Sequence, residues 1–330
     1  MDKRRYDLDR VVFGLGLLMV IAAGCVQEKL YEPPTDLERF WEREYVLTSL
    51  LGKELYTLPA TDRLIGNYRM ALLNYTDNPN EENTIWLGRR LAYLYRYREA
   101  VEVFSDGLAR FPESYRLYRH RGHRYITLRE FDKAIADFER AAALAAGRPV
   151  EIEPDGAPNA AGIPLSNTQF NIYYHLGLAY YCAGDFASAL DTYLECMNWS
   201  VNNDLMVATV DWLYMTYRRL GRDQEAAELL HRVPENLELI ENDAYYKRLL
   251  MYKGLMEPEE LLDPESVESD NPGVTLATQG YGVANWYYYN GDIMEAKEVF
   301  EKIVAFDSWS AFGYIAAETD LVHLKFDTDD

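Results

Sequence analysis

Three histidines and a run of arginines are the side chains whose types and spacing bear most directly on chemistry. His120 and His123 stand three residues apart, so on a helix they face similar directions. His175 adds a third imidazole, and three imidazoles make a donor set for a transition metal. Arg116, Arg119, Arg121 and Arg124 surround the first two and repel a cation, so no metal is expected here. No phosphate loop, nucleophile elbow, paired metal-ligand cysteines or zinc-protease helix is found. Carboxylates abound, but on helices they usually form a solvated face. The chain therefore reads as a non-enzyme without a cofactor.

Charge narrows the partners. The 330 residues carry a formal net charge of −21. A chain beginning at Cys25 loses four basic and three acidic residues, which makes it −22. So acidic a protein is not a nucleic-acid binder. The charge is uneven, however. Ten arginines and five acidic residues lie between Trp86 and Phe131, whereas eleven acidic residues face Lys247, Arg248 and Lys253 between Glu235 and Asp270. Apolar residues make up 48% of the chain, ample for a folded interior. The cysteines, Cys25, Cys182 and Cys196, are too few for a disulfide scaffold. Cys182 and Cys196 read as small packing residues.

The elements that position these groups emerge from an internal period. Gly88, Ala100 and Phe104 return as Gly122, Ala134 and Phe138, each 34 residues on. Further copies show Gly177, Tyr180, Gly184, Phe186, Ala189 and Tyr193; then Leu213, Tyr217, Gly221, Ala226 and Leu230; then Tyr287, Gly291, Ala296 and Phe300. This pattern resembles the tetratricopeptide repeat, a pair of antiparallel helices that stacks into a solenoid. The small residues are expected where Gly meets Ala between the two helices, with the aromatic filling the space toward the next repeat. The resemblance implies an all-α fold of five to six repeats, at 81–114, 115–148, 170–203, 207–240, a degenerate 241–262, and 277–310. The array extends over 81–325, with a capping helix at 311–325 and an acidic tail at 326–330. Proline and glycine mark insertion loops at 149–169 and 263–276. Residues 37–80 are expected to add two amphipathic helices, about 37–58 and 61–75, with Thr35 and Thr61 as N-caps.

The N-terminus carries its own signal. Lys3, Arg4, Arg5 and Arg10 precede an uncharged run, Val11 to Gly24, too short for an easy membrane span. Its end, Ile21-Ala22-Ala23-Gly24-Cys25, resembles a bacterial lipobox. That resemblance implies a signal peptide over 1–24, a lipid on Cys25 and a tether over 25–36. The mature protein is then expected in the bacterial cell envelope, held to a membrane by acyl chains and facing the periplasm.

In tetratricopeptide arrays the first helices line a concave groove that takes protein segments. Mapped on this chain, the resemblance points to Arg89, Tyr93, Arg116, Arg119, His123, Tyr174, Tyr181, Arg218 and Arg219 as partner-binding residues. Arginine suits carboxylates, so an acidic segment or a C-terminal carboxylate is the expected ligand. The 27 tyrosines leave an alternative: a glycan or small-ligand receptor with a Tyr-rich groove.

Overall fold

A computed structural model describes residues 36–156, 158–159, 161–262 and 272–327. The expected signal peptide and nearly all of the expected tether fall outside the described residues, as do most of the second insertion and the last three residues of the tail. Fourteen α-helices and one β-hairpin make up the described part. They are β1 (Tyr45–Thr48), β2 (Glu54–Tyr56), α1 (Asp62–Asp77), α2 (Glu81–Tyr93), α3 (Tyr97–Arg110), α4 (Tyr115–Thr127), α5 (Phe131–Ala145), α6 (Thr168–Cys182), α7 (Phe186–Cys196), α8 (Asn203–Arg219), α9 (Asp223–Leu230), α10 (Asp243–Tyr252), α11 (Pro258–Leu262), α12 (Pro272–Asn290), α13 (Ile293–Ala305) and α14 (Phe312–Asp327). The fold is an all-α solenoid of tetratricopeptide-type pairs: α2/α3, α4/α5, α6/α7, α8/α9, the short α10/α11, and α12/α13. No described helix is long and apolar enough to cross a membrane.

Local chemistry sets the helix starts. Thr61, Asn80, Ser114, Asn167 and Asn202 each accept a backbone N–H at the head of α1, α2, α4, α6 and α8, satisfying a donor that helix geometry leaves unpaired. The small residues also have a defined use. A Cβ on Gly88 would stand 2.3 Å from the Phe104 ring, one on Gly122 2.9 Å from Phe138, and one on Gly177 2.7 Å from Tyr193. Glycine thus admits the aromatic ring of its own pair. Ala100, Ala134, Ala189, Ala226 and Ala296 are fully buried.

The turn inside each pair needs one residue in the left-handed region. Gly184, Gly221, Gly254 and Gly291 supply it, but the first two pairs use Tyr95 (φ 60°) and Arg129 (φ 62°). A side chain there costs backbone energy, so it should do something a glycine does not. Both grip the far end of the chain. The Tyr95 ring lies 5.5 Å from that of Trp309. Arg129 donates to the Trp309 carbonyl (2.9 Å) and to the Glu318 carboxylate (2.6 Å).

Residues 37–58 are not a helix. A 3₁₀ turn (Glu38–Trp41) is followed by the antiparallel β1–β2 hairpin. The Tyr45-Val46-Leu47-Thr48 run favours an extended chain, and Gly52 at φ 83° turns it back. The hairpin buries Val46, Leu47 and Leu55 and joins both ends of the array. Arg96 of the first pair reaches Glu44, while Trp309 Nε1 donates to the Tyr56 carbonyl (3.0 Å) and Leu50 N donates to Glu318.

Helix α14 caps α12 and α13, and it also crosses the first helices of earlier pairs. Phe312 lies 5.2 Å from His123 of α4 and 5.3 Å from His175 of α6. Asp320 pairs with Arg219 of α8 (2.6 Å) and accepts from the Tyr281 hydroxyl of α12 (3.0 Å). The chain's own last helix therefore fills much of the face that the repeat pattern assigns to a ligand.

Candidate functional site

The nine residues expected to bind a partner divide into two sets. Tyr174 and Tyr181 are buried. Tyr174 Oη accepts from Trp212 Nε1 (2.8 Å) and bonds Tyr245, and Tyr181 Oη bonds Asn285 and Tyr281. Arg219 is enclosed between Asp320 and Asn285. Arg218 is half-buried, paired with Asp223 (2.7 Å), bonded to Asn290 (2.7 Å) and stacked on Tyr289. These four tie α6 and α8 to α10, α12 and α14.

Several of the tyrosines are spent on packing. Tyr214 and Tyr252 stack on each other with centroids 4.4 Å apart, and Tyr281 stacks on Trp212 at 5.6 Å. A sequence signal for this burial exists in α6, which has no charged side chain and buries thirteen of its fifteen residues. A first helix facing an open groove would show a polar stripe.

Arg89, Tyr93, Arg116, Arg119 and His123 lie together on α2 and α4. Arg116 is half-buried and paired with Glu82 (2.6 Å). The other four line a cavity of about 120 Å³, together with Ala92, Phe104, His120, Arg124 and Glu153. The first insertion loop forms its lid. Arg89 donates to the Pro154 carbonyl (2.8 Å) and Arg90 to that of Gly156 (3.0 Å). Arg119 pairs with Glu153 (3.0 Å). The lid lies tight on the helix: a Cβ on Gly156 would stand 1.8 Å from the Tyr93 hydroxyl. Its other end is tied to the head of α6 by the Ile152–Asn167 bridge.

Electrostatics inside the cavity are set by arginine. Arg119 Nη1 donates to His120 Nδ1 (3.0 Å), which assigns that imidazole its neutral form. Burial first, and nearby arginines second, hold His120 and His123 well below the ordinary histidine value of 6.5. His175, 4.4 Å from His123 between ring centroids, is lowered in the same way. Among the described residues no group of three His, Cys, Asp or Glu side chains is placed to hold a metal ion. Arg90, Arg124 and Glu153 were not expected here. The periodic positions that mark groove residues omit the first two, and only the folded lid brings Glu153 in.

No protein-family model matches the chain, and no curated protein is similar to it in sequence. Among solved structures, MamA is similar at 18% identity, covering 58% of this chain and 89% of its own, with a TM-score of 0.40. YrrB, described as a TPR protein with an unusual peptide-binding site, is similar at 15% identity over 78% of this chain and 98% of its own (TM-score 0.40). The nearly identical TPR-like repeats of a putative kinesin light chain from Podosopora anserina are similar at 19% over 68% and 92%, with a TM-score of 0.41.

Proposed function

We propose that this protein is a lipid-anchored binding scaffold of the bacterial envelope, which holds an acidic, extended segment of a protein partner against α2 and α4. The observation that carries this reading is the lid itself. Residues 153–156 already lie across Arg89, Arg90 and Arg119 as such a segment would, through two carbonyls and one carboxylate. The neighbouring lid residues Val150 and Ile152 remain about half exposed. The hold on the groove is therefore polar rather than apolar, and a polar hold is the easier one to exchange. The mechanism is binding: a partner segment takes the place of the lid while acyl chains on Cys25 keep the complex at the membrane.

The test is photo-crosslinking from position 93 in native membranes. The expected result is a captured protein that Arg89→Glu with Arg90→Glu abolishes. Undiminished capture by that double variant refutes the groove. Cys25→Ser should release the chain into the soluble fraction. Membrane association with an uncleaved N-terminus would refute the lipid anchor.

A further inference from the structure

The cavity under the lid has more positive charge than its walls neutralise. Arg89, Arg119 and Arg124 face it, and Glu153 is the single carboxylate in its lining. Three charges against one leave a surplus of two. The lid's Asp155 feels Arg89 but does not line the space. Arg124 stands out: among the described residues its guanidinium meets no carboxylate and makes no hydrogen bond, and it lies over the face of Tyr97 at 5.4 Å. Burial pulls its pKa down to about 10, so it stays charged near neutrality. Arg119 is 7% exposed, and its Nε has no partner, nor has Glu153 Oε2. Guanidinium groups drawn from water with too little counter-charge are costly. The surrounding imidazoles, being neutral, add hydrogen-bonding nitrogens without adding repulsion or compensation.

The space suits the missing charge. Its volume of about 120 Å³ is well above what a single water molecule needs, room for one small polyatomic anion. Guanidinium groups match the planar or tetrahedral oxygens of such anions. We propose that this cavity is a binding site for one compact oxyanion, a phosphate or carboxylate group, held by Arg119 and Arg124 and closed over by the lid. The site rests on the same groove as the proposed scaffold function, but its ligand needs no partner protein.

Calorimetric titration of the purified chain, at ionic strength held constant with sodium chloride, tests it. One arm uses inorganic phosphate. The other uses a short N-acetylated peptide with a free C-terminal carboxylate, beside its amidated twin. Saturable binding in either arm supports the site and identifies which source of oxyanion it takes. Arg124→Gln should weaken that binding on the order of ten- to a hundredfold, the worth of one charge-assisted contact. Glu153→Gln removes the competing carboxylate and should tighten it several-fold, a gain that loss of folding cannot imitate. No saturable binding in either arm up to tens of millimolar overturns the proposal, as does binding that Arg124→Gln and Glu153→Gln leave unchanged. Such a failure, with capture in membranes intact, would remove the anion site and leave the scaffold reading standing.

Discussion

Arg129→Gly should destabilise the protein, although it installs the residue that the turn geometry prefers. Arg129 sits at φ 62° where the later pairs carry glycine. Relieving a left-handed non-glycine residue returns about 1–2 kcal/mol. Against this stands the ion pair with Glu318, whose side chains are 3% and 0% exposed. Removing one partner of a buried pair strands the other and costs about 3–5 kcal/mol. The donation to the Trp309 carbonyl is lost as well. The balance is a loss of about 1–4 kcal/mol, visible as a lower midpoint in urea unfolding followed by circular dichroism. Glu318→Gln alone strands Arg129 and should also be unstable. The double variant carries no stranded charge, so it should lose at least ~1 kcal/mol less than the two single losses added together. A midpoint for Arg129→Gly at or above that of the unaltered protein would refute the reasoning. Simple additivity of the two losses would do the same.

Gly88→Ala and Gly66→Ala should move stability in opposite directions in the same urea assay. The Gly66 Cβ meets nothing within 4 Å, so alanine there gains about 1 kcal/mol of helix propensity. At Gly88 three Phe104 ring atoms lie within 3.0 Å, and overpacking of about 1–3 kcal/mol outweighs that gain. Equal stabilisation at both sites would show that the ring does not press on α2. The buried histidines make the fold acid-labile. Their folded pKa values lie below 6.5 through burial first, with arginines adding to it. As pH falls below about 6.5 the unfolded chain takes up protons that the folded chain refuses, so stability is full above that pH and declines beneath it. Each histidine contributes up to ~1.4 kcal/mol per pH unit. Replacing His120, His123 and His175 together by Gln should flatten the decline between pH 6.5 and 5.5; an unchanged slope would locate the lability elsewhere. Partner capture should weaken steeply with salt, because the lid and its proposed replacement are held by charge. Capture indifferent to salt would argue against arginine as the binding group.

Much of this architecture is legible residue by residue. The 34-residue return of Gly88, Ala100 and Phe104 marks helix pairs because spacing along a helix and closeness between helices are local properties. Turn glycines such as Gly184 and Gly291, and caps such as Thr61, mark element ends for the same reason. The hairpin at 45–56 was missed because its strands are short and their pattern of apolar residues is shared with amphipathic helices. The candidate site was legible in its arginines, Arg89 and Arg119, but not in its lid. Glu153 lies 34 residues from Arg119, in a proline- and glycine-rich loop whose path no period describes.

Sequence alone determined that this chain builds stacked helix pairs and concentrates arginine in the first two. Where the ends go was decided by tertiary structure. Each pair offers a concave face, but whether solvent, a partner or the chain itself covers it depends on contacts between residues far apart. The pairing of Arg129 with Glu318 joins positions 189 residues apart, and that of Arg219 with Asp320 joins positions 101 apart. Two departures stand in the sequence itself: the absence of glycine at 95 and 129, and the uncharged run of α6. Their meaning required the closed solenoid, because a side chain's cost in a turn is local whereas what it grips in return is not.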